Sequence, residues 1–306
     1  MSEKKRILIT GASGFIGTNL LIALTQQNVD IAVIDRHDKL KFDKVKKYIG
    51  DICDYSFVEK AISDFQPSKV FHLAAYKKRS STVNDMSLAI KVNLLGTINL
   101  YQALLNISAL ESIVTLGTTD EYGEINPPFK ESLIGMPSSN YGFSKFCVTK
   151  LSEFFYRNFK LPVVILRPTI AYGPHQGQDM FIPTLIKTLL NNNKYEMTPG
   201  DQIRDFIYIS DLIEAIITVS NNTSYLGEIF NIGNGSPIKI KEIAISIAKQ
   251  LDKEQFLYIG AISYRDREIM HYNISMDKIF NNSEWKPKVS LEKGLNQTIK
   301  YYQNFE

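Results

Sequence analysis

Short apolar runs alternate with amphipathic segments of helical length through the first half of the chain. Strand patterns of the buried type occur at Arg6–Thr10, Ile31–Asp35, Val70–Ala74, Ile113–Gly117 and Val163–Arg167. Between them, apolar positions at helical spacing predict helices over Phe15–Gln26, Ser56–Asp64, Met86–Asn106 and Ser139–Asn158. Strands that alternate with helices require parallel pairing and crossover connections. The pattern therefore predicts an α/β fold with a doubly wound parallel sheet.

The rhythm changes after Arg167, where prolines and glycines mark a loop. Helices are predicted near 182–191, 211–221, 241–251 and 291–302, with a strand near 206–209. We interpret residues 1–170 as one domain and 171–306 as a smaller α/β lobe that is expected to bind a substrate. A segment near 205–230 is expected to pack back onto the first domain.

Composition excludes several classes of protein. Of the 306 residues, 44% are hydrophobic and 22% are charged, which is typical of a globular protein. Basic residues exceed acidic ones by only 35 to 32, which argues against nucleic acid as a partner. The densest basic run, Lys39 to Lys47, is predicted to be a solvated loop. No apolar run is long enough to span a membrane.

Two cysteines, Cys53 and Cys147, stand far apart and show no metal-ligand spacing. We expect two reduced thiols and no metal. The first residues, MSEKKRILITGASGF, lack the apolar stretch of a signal peptide. The expected location is the cytoplasm.

A glycine-rich turn follows the first predicted strand and opens the first helix. It reads Gly11-Ala-Ser-Gly14-Phe-Ile-Gly17. Glycines permit a tight turn with close backbone approach, and a helix N-terminus attracts a pyrophosphate. A lone glycine triplet can also be an ordinary turn, but its place between strand and helix favours dinucleotide binding. Residues 1–170 are thus predicted to be a dinucleotide-binding domain of the Rossmann type.

Asp35 ends the second predicted strand. An acidic side chain there can accept both hydroxyls of the adenosine ribose and repel a 2′-phosphate, which favours NAD over NADP. Arg36 beside it weakens this inference, since a guanidinium can accommodate a phosphate. A simple turn-forming role for Asp35 is the alternative.

Tyr141 and Lys145 lie one turn apart at the start of a predicted helix. A free tyrosine titrates near 10, too high for an efficient base at neutral pH. A nearby lysine and the positive nicotinamide ring would lower the pKa of Tyr141. Tyr141 could then take a proton from a substrate hydroxyl while hydride leaves the same carbon. This spacing also occurs by chance on solvated helices.

The chain resembles the extended short-chain dehydrogenase/reductase superfamily, specifically its NAD-dependent nucleotide-sugar epimerase/dehydratase family. The resemblance runs nearly the whole length. It rests on GASGFIG, Gly50-Asp51-Ile52, His72-Leu-Ala-Ala75, Val92-Asn93, Tyr141 with Lys145, Arg167-Pro168 with Tyr172-Gly173-Pro174, Arg204-Asp-Phe-Ile-Tyr208 and Trp285-Lys-Pro287.

The resemblance implies a role for individual residues. A threonine completes the catalytic triad with Tyr141 and Lys145; the family spacing gives Thr118, with Thr119 as the fallback. The implied NAD ligands are Gly11, Ser13, Gly14, Phe15, Ile16, Gly17, Asp35, Arg36, Asp51, Ile52, Leu73, Ala74, Ala75, Asn93, Tyr141 and Lys145. The implied substrate contacts are Lys77, Thr119, Asp120, Arg204 and Arg265. The two arginines would hold a diphosphate.

The resemblance also bears on the reaction. Similar 4,6-dehydratases read Thr-Asp-Glu-Val-Tyr-Gly, and this chain is one residue short. Aligned on Tyr122, Thr119 takes the position of the acid and Asp120 that of the base, so the dehydratase pair is incomplete. We expect NAD-dependent oxidation at carbon 4 of a nucleotide-diphosphate sugar, by a 4-epimerase or 4-dehydrogenase of surface-polysaccharide biosynthesis. The alternatives are a 4,6-dehydratase, a 4-ketoreductase and a catalytically silent NAD-binding sensor.

One departure concerns the substrate. Many members have Asn where this chain has Ile170, so the geometry of nucleotide binding is expected to differ from common uridine-type enzymes. Members of the family commonly dimerise through two long helices, here about 86–106 and 139–158. A homodimer is therefore expected, with no nucleic-acid or membrane partner.

Overall fold

The computed structural model describes residues 4–78, 82–265 and 268–304. Its strands are β1 (Arg6–Thr10), β2 (Asp30–Asp35), β3 (Val45–Ile49), β4 (Lys69–His72), β5 (Ser112–Leu116), β6 (Val163–Pro168), β7 (Ile170–Tyr172), β8 (Tyr195–Met197), β9 (Ile203–Arg204), β10 (Phe206–Tyr208), β11 (Ile229–Ile232), β12 (Ile238–Lys239), β13 (Leu257–Ile259) and β14 (His271–Tyr272).

The helices are α1 (Phe15–Leu24), α2 (Tyr55–Phe65), α3 (Val83–Ala89), α4 (Gly96–Leu104), α5 (Asn140–Phe159), α6 (Phe181–Leu190), α7 (Ile209–Ser220), α8 (Ile240–Gln250), α9 (Asp277–Asn282) and α10 (Leu291–Gln303). A π-helical stretch, Ile90–Leu95, joins α3 to α4, and short 3₁₀ turns lie at Thr119–Glu121, Thr223–Tyr225 and Glu254–Phe256. In the described part of the chain, none of these helices combines the length and apolarity needed to cross a membrane.

Seven strands form one sheet in the order β11-β6-β5-β4-β1-β2-β3. Within this order, the neighbouring strands of the stretch β6-β5-β4-β1-β2-β3 all pair in parallel. The predicted doubly wound α/β fold is confirmed. The strand order reverses between β1 and β4, and in such sheets ligands bind beside the strand ends at this reversal. Thr10 and His72 are partners in the register there.

Two elements differ from the sequence prediction. Part of the basic run expected to be a loop forms β3, an edge strand whose Lys46 and Lys47 hide the apolar alternation. Charged residues are usual on edge strands because they discourage further pairing. The single helix predicted over Met86–Asn106 is interrupted by the π-helical stretch around Asn93. Such insertions commonly accompany functional positions.

The described chain divides into two units. Unit 1 comprises the residues up to Ile125, Glu131–Arg167 and Ile213–Phe230, and unit 2 comprises Asn126–Lys130, Pro168–Leu212 and the residues from Asn231. The sequence placed the boundary near 170 and the returning segment near 205–230. The assignment of the first unit to cofactor and the second to substrate stays a prediction.

The core of unit 1 joins sheet residues to helices α2, α4 and α5. These buried residues include Leu8, Ile34, Val70, Ile113, Val163, Val58, Ile62, Leu100, Leu104 and Phe155. Strands that bury side chains on both faces read as continuous apolar runs, which is why the central strands were predictable.

Unit 2 is built from short strands and three mutually packed helices, α6, α8 and α10. β7 pairs with β10, β9 lies between β12 and β14, and β8 pairs with β13. The buried indole of Trp285 donates to the carbonyl of Asp211 at 3.1 Å, and the Asp211 carboxylate accepts the N–H groups of Lys288 and Val289. The Trp-Lys-Pro segment is thereby fixed to the start of α7.

Candidate cofactor and catalytic site

The turn after β1 brings glycines against neighbouring backbone. Gly11 has a φ of +71°, and a Cβ there would lie 2.7 Å from the backbone of Ala74. A Cβ on Gly17 would lie 2.4 Å from the carbonyl oxygen of Gly11. α1 begins directly after Gly14, and no side chain of the described residues caps its first turn. The turn therefore combines close backbone packing with N–H groups free to meet a pyrophosphate.

A cavity of about 300 Å³ lies beside this turn in unit 1. The predicted cofactor residues that line it are Gly11, Ser13, Gly14, Asp35, Arg36, Asp51, Ile52, Leu73, Ala74 and Ala75, and the predicted substrate residue Lys77 lines it as well. Phe15, Ile16 and Gly17 lie in the first turn of α1. Asn93, Tyr141 and Lys145 lie on the π-helical stretch and α5. Their contacts with a dinucleotide stay predictions.

Asp35 is anchored to the glycine turn. Its carboxylate accepts the backbone N–H of Ser13 at 2.7 Å and the Ser13 hydroxyl at 2.9 Å, and it is 8% exposed. The N–H of Arg36 donates to the same carboxylate at 3.0 Å. Four lone pairs on a carboxylate leave capacity for further donors. The geometry fits a residue that holds the turn and receives ribose hydroxyls.

Asp51 lines the same cavity. It accepts the backbone N–H of Cys53 at 2.9 Å, and this hydrogen bond holds the pKa of Asp51 below its usual value. Asp51 is therefore ionised at neutral pH and can accept from an adenine amino group.

A buried polar network ties the strand ends to α5. His72 bonds to Thr10 through Nδ1 and to Thr97 through Nε2, both at 2.8 Å. Burial lowers the pKa of His72 to about 3, so its ring is neutral. Asn93 donates to the Ser144 hydroxyl at 2.8 Å, and that hydroxyl donates to the carbonyl of Tyr141. The sequence analysis did not identify these supporting contacts.

Tyr141 and Lys145 occupy the first two turns of α5. The side-chain oxygen of Ser139 caps the start of this helix, because it accepts the N–H of Gly142 at 3.0 Å. Lys145 is 2% exposed, and burial lowers its pKa to about 8 although Glu121 acts in the opposite direction. The ammonium of Lys77 lies 5.9 Å from the centre of the Tyr141 ring.

The pKa of Tyr141 runs opposite to the expectation. In the protein alone it is raised by burial and by the carboxylates of Asp120 and Glu121. The lowering expected from the sequence came from Lys145 and a bound nicotinamide, without these two acids. A phenolate on Tyr141 therefore depends on positive charge supplied beyond Lys145.

The two candidate threonines are both buried. Thr118 follows β5, and its hydroxyl oxygen accepts the N–H of Asp120 at 3.2 Å. A hydroxyl has one donor and two acceptor positions, so Thr118 can still donate to a substrate oxygen. Thr119 is 4% exposed. Which of the two completes the triad stays open.

A charged pair that no sequence pattern predicted lies beneath this loop. Arg167 donates from Nε to Oε2 of Glu121 at 2.9 Å, and both side chains are almost fully buried. The second oxygen, Oε1, accepts the N–H of Thr118 at 2.9 Å. Arg167 also donates to the hydroxyl of Tyr122 at 3.1 Å. An acidic residue directly before the Tyr122-Gly123 pair was the signal available in the sequence.

The predicted diphosphate arginines lie in unit 2. Arg204 on β9 pairs with Glu268 at 2.9 Å, and its guanidinium lies 5.6 Å from the centre of the Tyr272 ring. Arg265 is exposed. Arg267, a near neighbour that could exchange roles with Arg265, lies outside the described residues. Phosphate binding by Arg204 and Arg265 stays a prediction.

These features define a class of protein. A doubly wound sheet, a glycine turn with an anchored acidic residue and a Tyr-x-x-x-Lys helix are the parts of a nicotinamide-dependent enzyme of the short-chain dehydrogenase type. Among the described residues, no cluster of His, Cys, Asp and Glu side chains could hold a metal.

Comparison with known proteins identifies the family. The model of the NAD dependent epimerase/dehydratase family matches residues 7–233. A dTDP-D-glucose 4,6-dehydratase of Mus musculus is 30% identical over 98% of this chain and 89% of its own length. The chain therefore belongs to the NAD-dependent epimerase/dehydratase family. The predicted family and NAD as its cofactor are confirmed.

Two solved structures agree with this. A UDP-glucuronic acid 4-epimerase from Bacillus cereus, in complex with UDP-glucuronic acid and NAD, is 28% identical with a TM-score of 0.90, and the match covers 98% of this chain and all of that one. A UDP-glucose 4-epimerase from Thermotoga maritima with UDP-glucose is 25% identical with a TM-score of 0.89, covering 98% and 99% of the two chains. The similar proteins therefore include both dehydratases and epimerases.

Proposed function

We propose that this protein oxidises carbon 4 of a nucleotide-diphosphate sugar with NAD, as a 4-epimerase or a 4-dehydrogenase. The observation that carries the proposal is the placement of Thr118, Tyr141 and Lys145 in unit 1, the unit that holds the glycine turn. A binding protein that had lost catalysis would be expected to lack part of this triad. We therefore disfavour a silent sensor.

The chemistry divides among the side chains. Tyr141 takes the proton of the sugar 4-hydroxyl, and Thr118 donates a hydrogen bond to that oxygen. Lys145 and Lys77 supply positive charge that stabilises the Tyr141 phenolate against Asp120 and Glu121. When bound, NAD supplies the hydride acceptor. Asp35, held by Ser13, favours NAD over its 2′-phosphorylated form, which argues against a 4-ketoreductase.

A 4,6-dehydratase is the second candidate, favoured by the 30% identity to a dTDP-D-glucose 4,6-dehydratase. Elimination of water needs an acid and a base beside the sugar. Thr119 stands at the position of the acid, and the Glu121 carboxylate is fully buried against Arg167. Of the two carboxylates in this loop, Asp120 is the one that is not fully buried, which supports a reaction without dehydration.

Arg204 supports a diphosphate-bearing substrate. Its side chain is mostly buried and already holds a carboxylate, Glu268, at a distance suited to charge-assisted bonding. An arginine fork that holds one anion can hold a phosphate in its place. Arg265 is proposed as the second contact.

We also propose a homodimer in the cytoplasm. Large apolar side chains are exposed on α3, α5 and the π-helical stretch, including Val83 at 79%, Phe159 at 50% and Phe154 at 49%. An exposed apolar face of this kind is typical of a subunit interface. Sedimentation of the purified protein tests the dimer, and a monomer at micromolar concentration would contradict it.

The test of the reaction is a substrate screen. The NAD-loaded protein is mixed with uridine, guanosine, cytidine and thymidine diphosphate sugars, while nicotinamide absorbance and product mass are followed. A product of unchanged mass with inverted stereochemistry supports an epimerase, and loss of two hydrogens supports a 4-dehydrogenase. Loss of water would establish the dehydratase instead. Absence of any change with all four nucleotides would refute the proposal.

A further inference from the structure

The loop that follows β4 forms part of the wall of the cavity beside the glycine turn. Residues 73–77 line this cavity as one continuous stretch, which ends with Tyr76 and Lys77. Residues 73–78 belong neither to a helix nor to a strand. Because the hydrogen bonds of a regular element do not hold such a segment, its position depends on the side chains that it contacts.

A buried asparagine fixes the backbone of this loop at Tyr76. Oδ1 of Asn93 accepts the Tyr76 N–H at 2.6 Å, and Nδ2 of Asn93 donates to the Tyr76 carbonyl at 3.1 Å. Asn93 is 1% exposed and lies on the π-helical stretch. These two bonds set where the Tyr76 backbone lies, but the direction of its side chain needs a further partner.

A buried carboxylate on α3 supplies that partner. Oδ1 of Asp85 accepts the Tyr76 hydroxyl at 2.6 Å and the Lys78 ammonium at 3.1 Å. Asp85 is 7% exposed. Hydrogen bonds from a hydroxyl to a charged carboxylate are shorter and stronger than those between neutral groups. Asp85 thus joins α3 to two positions of the loop, Tyr76 in the cavity lining and Lys78 shortly after it.

Asp85 also takes part in capping α3, which is a purely structural role. The Thr82 hydroxyl accepts the N–H of Asp85 at 3.2 Å and donates to Oδ2 of its carboxylate at 2.7 Å. Caps of this kind stabilise the start of a helix. The Tyr76 hydroxyl bonds to the other oxygen, Oδ1, and comes from outside the helix. The cap therefore does not explain the bond to Tyr76, and substitutions can separate the two roles.

We propose that Asp85 is a positioning residue for the cofactor, which holds the side chain of Tyr76 in the wall of the cavity before NAD binds. The proposal rests on the proposed function, because it takes this cavity to be the NAD site. Asp85 is not one of the described residues that line the cavity, so it acts through Tyr76, which is. A site that is ordered before its ligand arrives binds more tightly, because less conformational entropy is lost on binding.

The contribution of this bond can be measured by titrating NAD-free protein with NAD in a calorimeter. Tyr76→Phe removes the hydroxyl, and Asp85→Ala removes its acceptor. Each variant should bind NAD roughly 3- to 10-fold more weakly, which is the range of one hydrogen bond. Because both substitutions break the same bond, the double variant should lose about as much affinity as Asp85→Ala alone. Additive losses would show that Tyr76 and Asp85 act separately, which would overturn the proposal.

Two further variants separate the bond to Tyr76 from the helix cap. Asp85→Asn keeps an acceptor for the Tyr76 hydroxyl and should retain most of the NAD affinity. Thr82→Val, the matched control, removes the hydroxyl that bonds to Oδ2 and leaves the Tyr76 bond in place. It should destabilise the fold towards urea without changing the NAD affinity. A Thr82→Val protein that loses as much NAD affinity as Asp85→Ala would assign Asp85 to the cap alone and would contradict the proposal.

Hydrogen exchange tests the positioning without any cofactor. The Tyr76 amide is bonded to Asn93, so it exchanges only when the loop opens locally. Asp85→Ala should speed this exchange in NAD-free protein, and Thr82→Val should not. If Asp85→Ala does not fold, Tyr76→Phe takes its place in both measurements, since it leaves the buried carboxylate bonded to Lys78.

Neither measurement uses a sugar nucleotide, so the failure of the substrate screen and the failure of this proposal are distinguishable. A screen without any reaction would refute oxidation at carbon 4 and leave the role of Asp85 standing. A folded variant that lacks the bond between Asp85 and Tyr76, yet shows wild-type NAD affinity and wild-type exchange of the Tyr76 amide, would overturn the role of Asp85.

Discussion

Lys145, a member of the proposed catalytic triad, should lower the stability of the folded protein. Burial lowers the pKa of Lys145 from the usual 10.5 to about 8, so the folded state binds this proton more weakly than the unfolded chain does. Each tenfold change in proton affinity is worth about 1.4 kcal/mol. Lysine at this position therefore costs about 3 kcal/mol of unfolding free energy at neutral pH.

Lys145→Met tests this directly, because methionine has a similar length and an equal tendency to form helices. Without NAD, the variant should be more stable than wild type by up to about 3 kcal/mol near pH 7. The folded-state pKa is the lowered one, so the difference is full below about pH 8. It should shrink as the pH rises from there towards 10.5. The same variant should have lower turnover and weaker cofactor binding.

The assay is urea denaturation, monitored by circular dichroism at several pH values. Unfolding free energies are compared between variants whose m values are equal. Lys150→Met is the control on the same helix. Lys150 is exposed and pairs with Glu153 at the surface, where such pairs are worth about 0–1 kcal/mol. A Lys145→Met variant that is less stable at neutral pH, or whose advantage does not change with pH, would refute the reasoning.

The remaining predictions concern the proposed roles of four residues. Tyr141→Phe should keep NAD binding and lower turnover by roughly two to four orders of magnitude, measured by single-turnover kinetics. Asp35→Ala should weaken NAD binding and reduce the preference for NAD over NADP, both measured by fluorescence titration. Equal affinity of the wild-type protein for the two cofactors would show that the acid does not discriminate between them. Arg204→Ala and Arg265→Ala should each weaken the binding of a nucleoside diphosphate roughly 10- to 150-fold, measured by calorimetry. The two effects should be non-additive in the double variant. Unchanged affinity would remove the support for a nucleotide-diphosphate substrate.

The central sheet was predictable because its strands are buried on both faces. A run such as Val163–Arg167 is apolar at nearly every position, and strand β6 covers almost the same residues. β3 was not predictable in the same way, since its lysines belong to an exposed edge. The two-residue strands β9, β12 and β14 are too short to leave a periodic pattern at all.

Local motifs were also predictable, and distant contacts were not. The glycine turn directly follows the first predicted strand, and Asp35 ends the second, so the sequence alone located both. In the structure, the backbone N–H of Ser13 in this turn donates to the Asp35 carboxylate. Glu121 and Arg167 lie 46 positions apart, and no spacing rule links them. In the protein alone, burial and the carboxylates of Asp120 and Glu121 raise the pKa of Tyr141, and no spacing rule in the sequence places these acids near it.

The loop after Thr118 shows why identity to dehydratases does not decide the reaction. The loop of this chain contains two carboxylates, Asp120 and Glu121, before the Tyr122-Gly123 pair. The side chain of Glu121 is fully buried, where it binds Arg167 and the backbone N–H of Thr118. Because the Glu121 side chain is fully buried, its carboxylate is not accessible to a substrate, whereas Asp120 is only partly buried. Because eliminating water needs both an acid and a base, the burial of Glu121 is the reason that we propose oxidation at carbon 4 without dehydration.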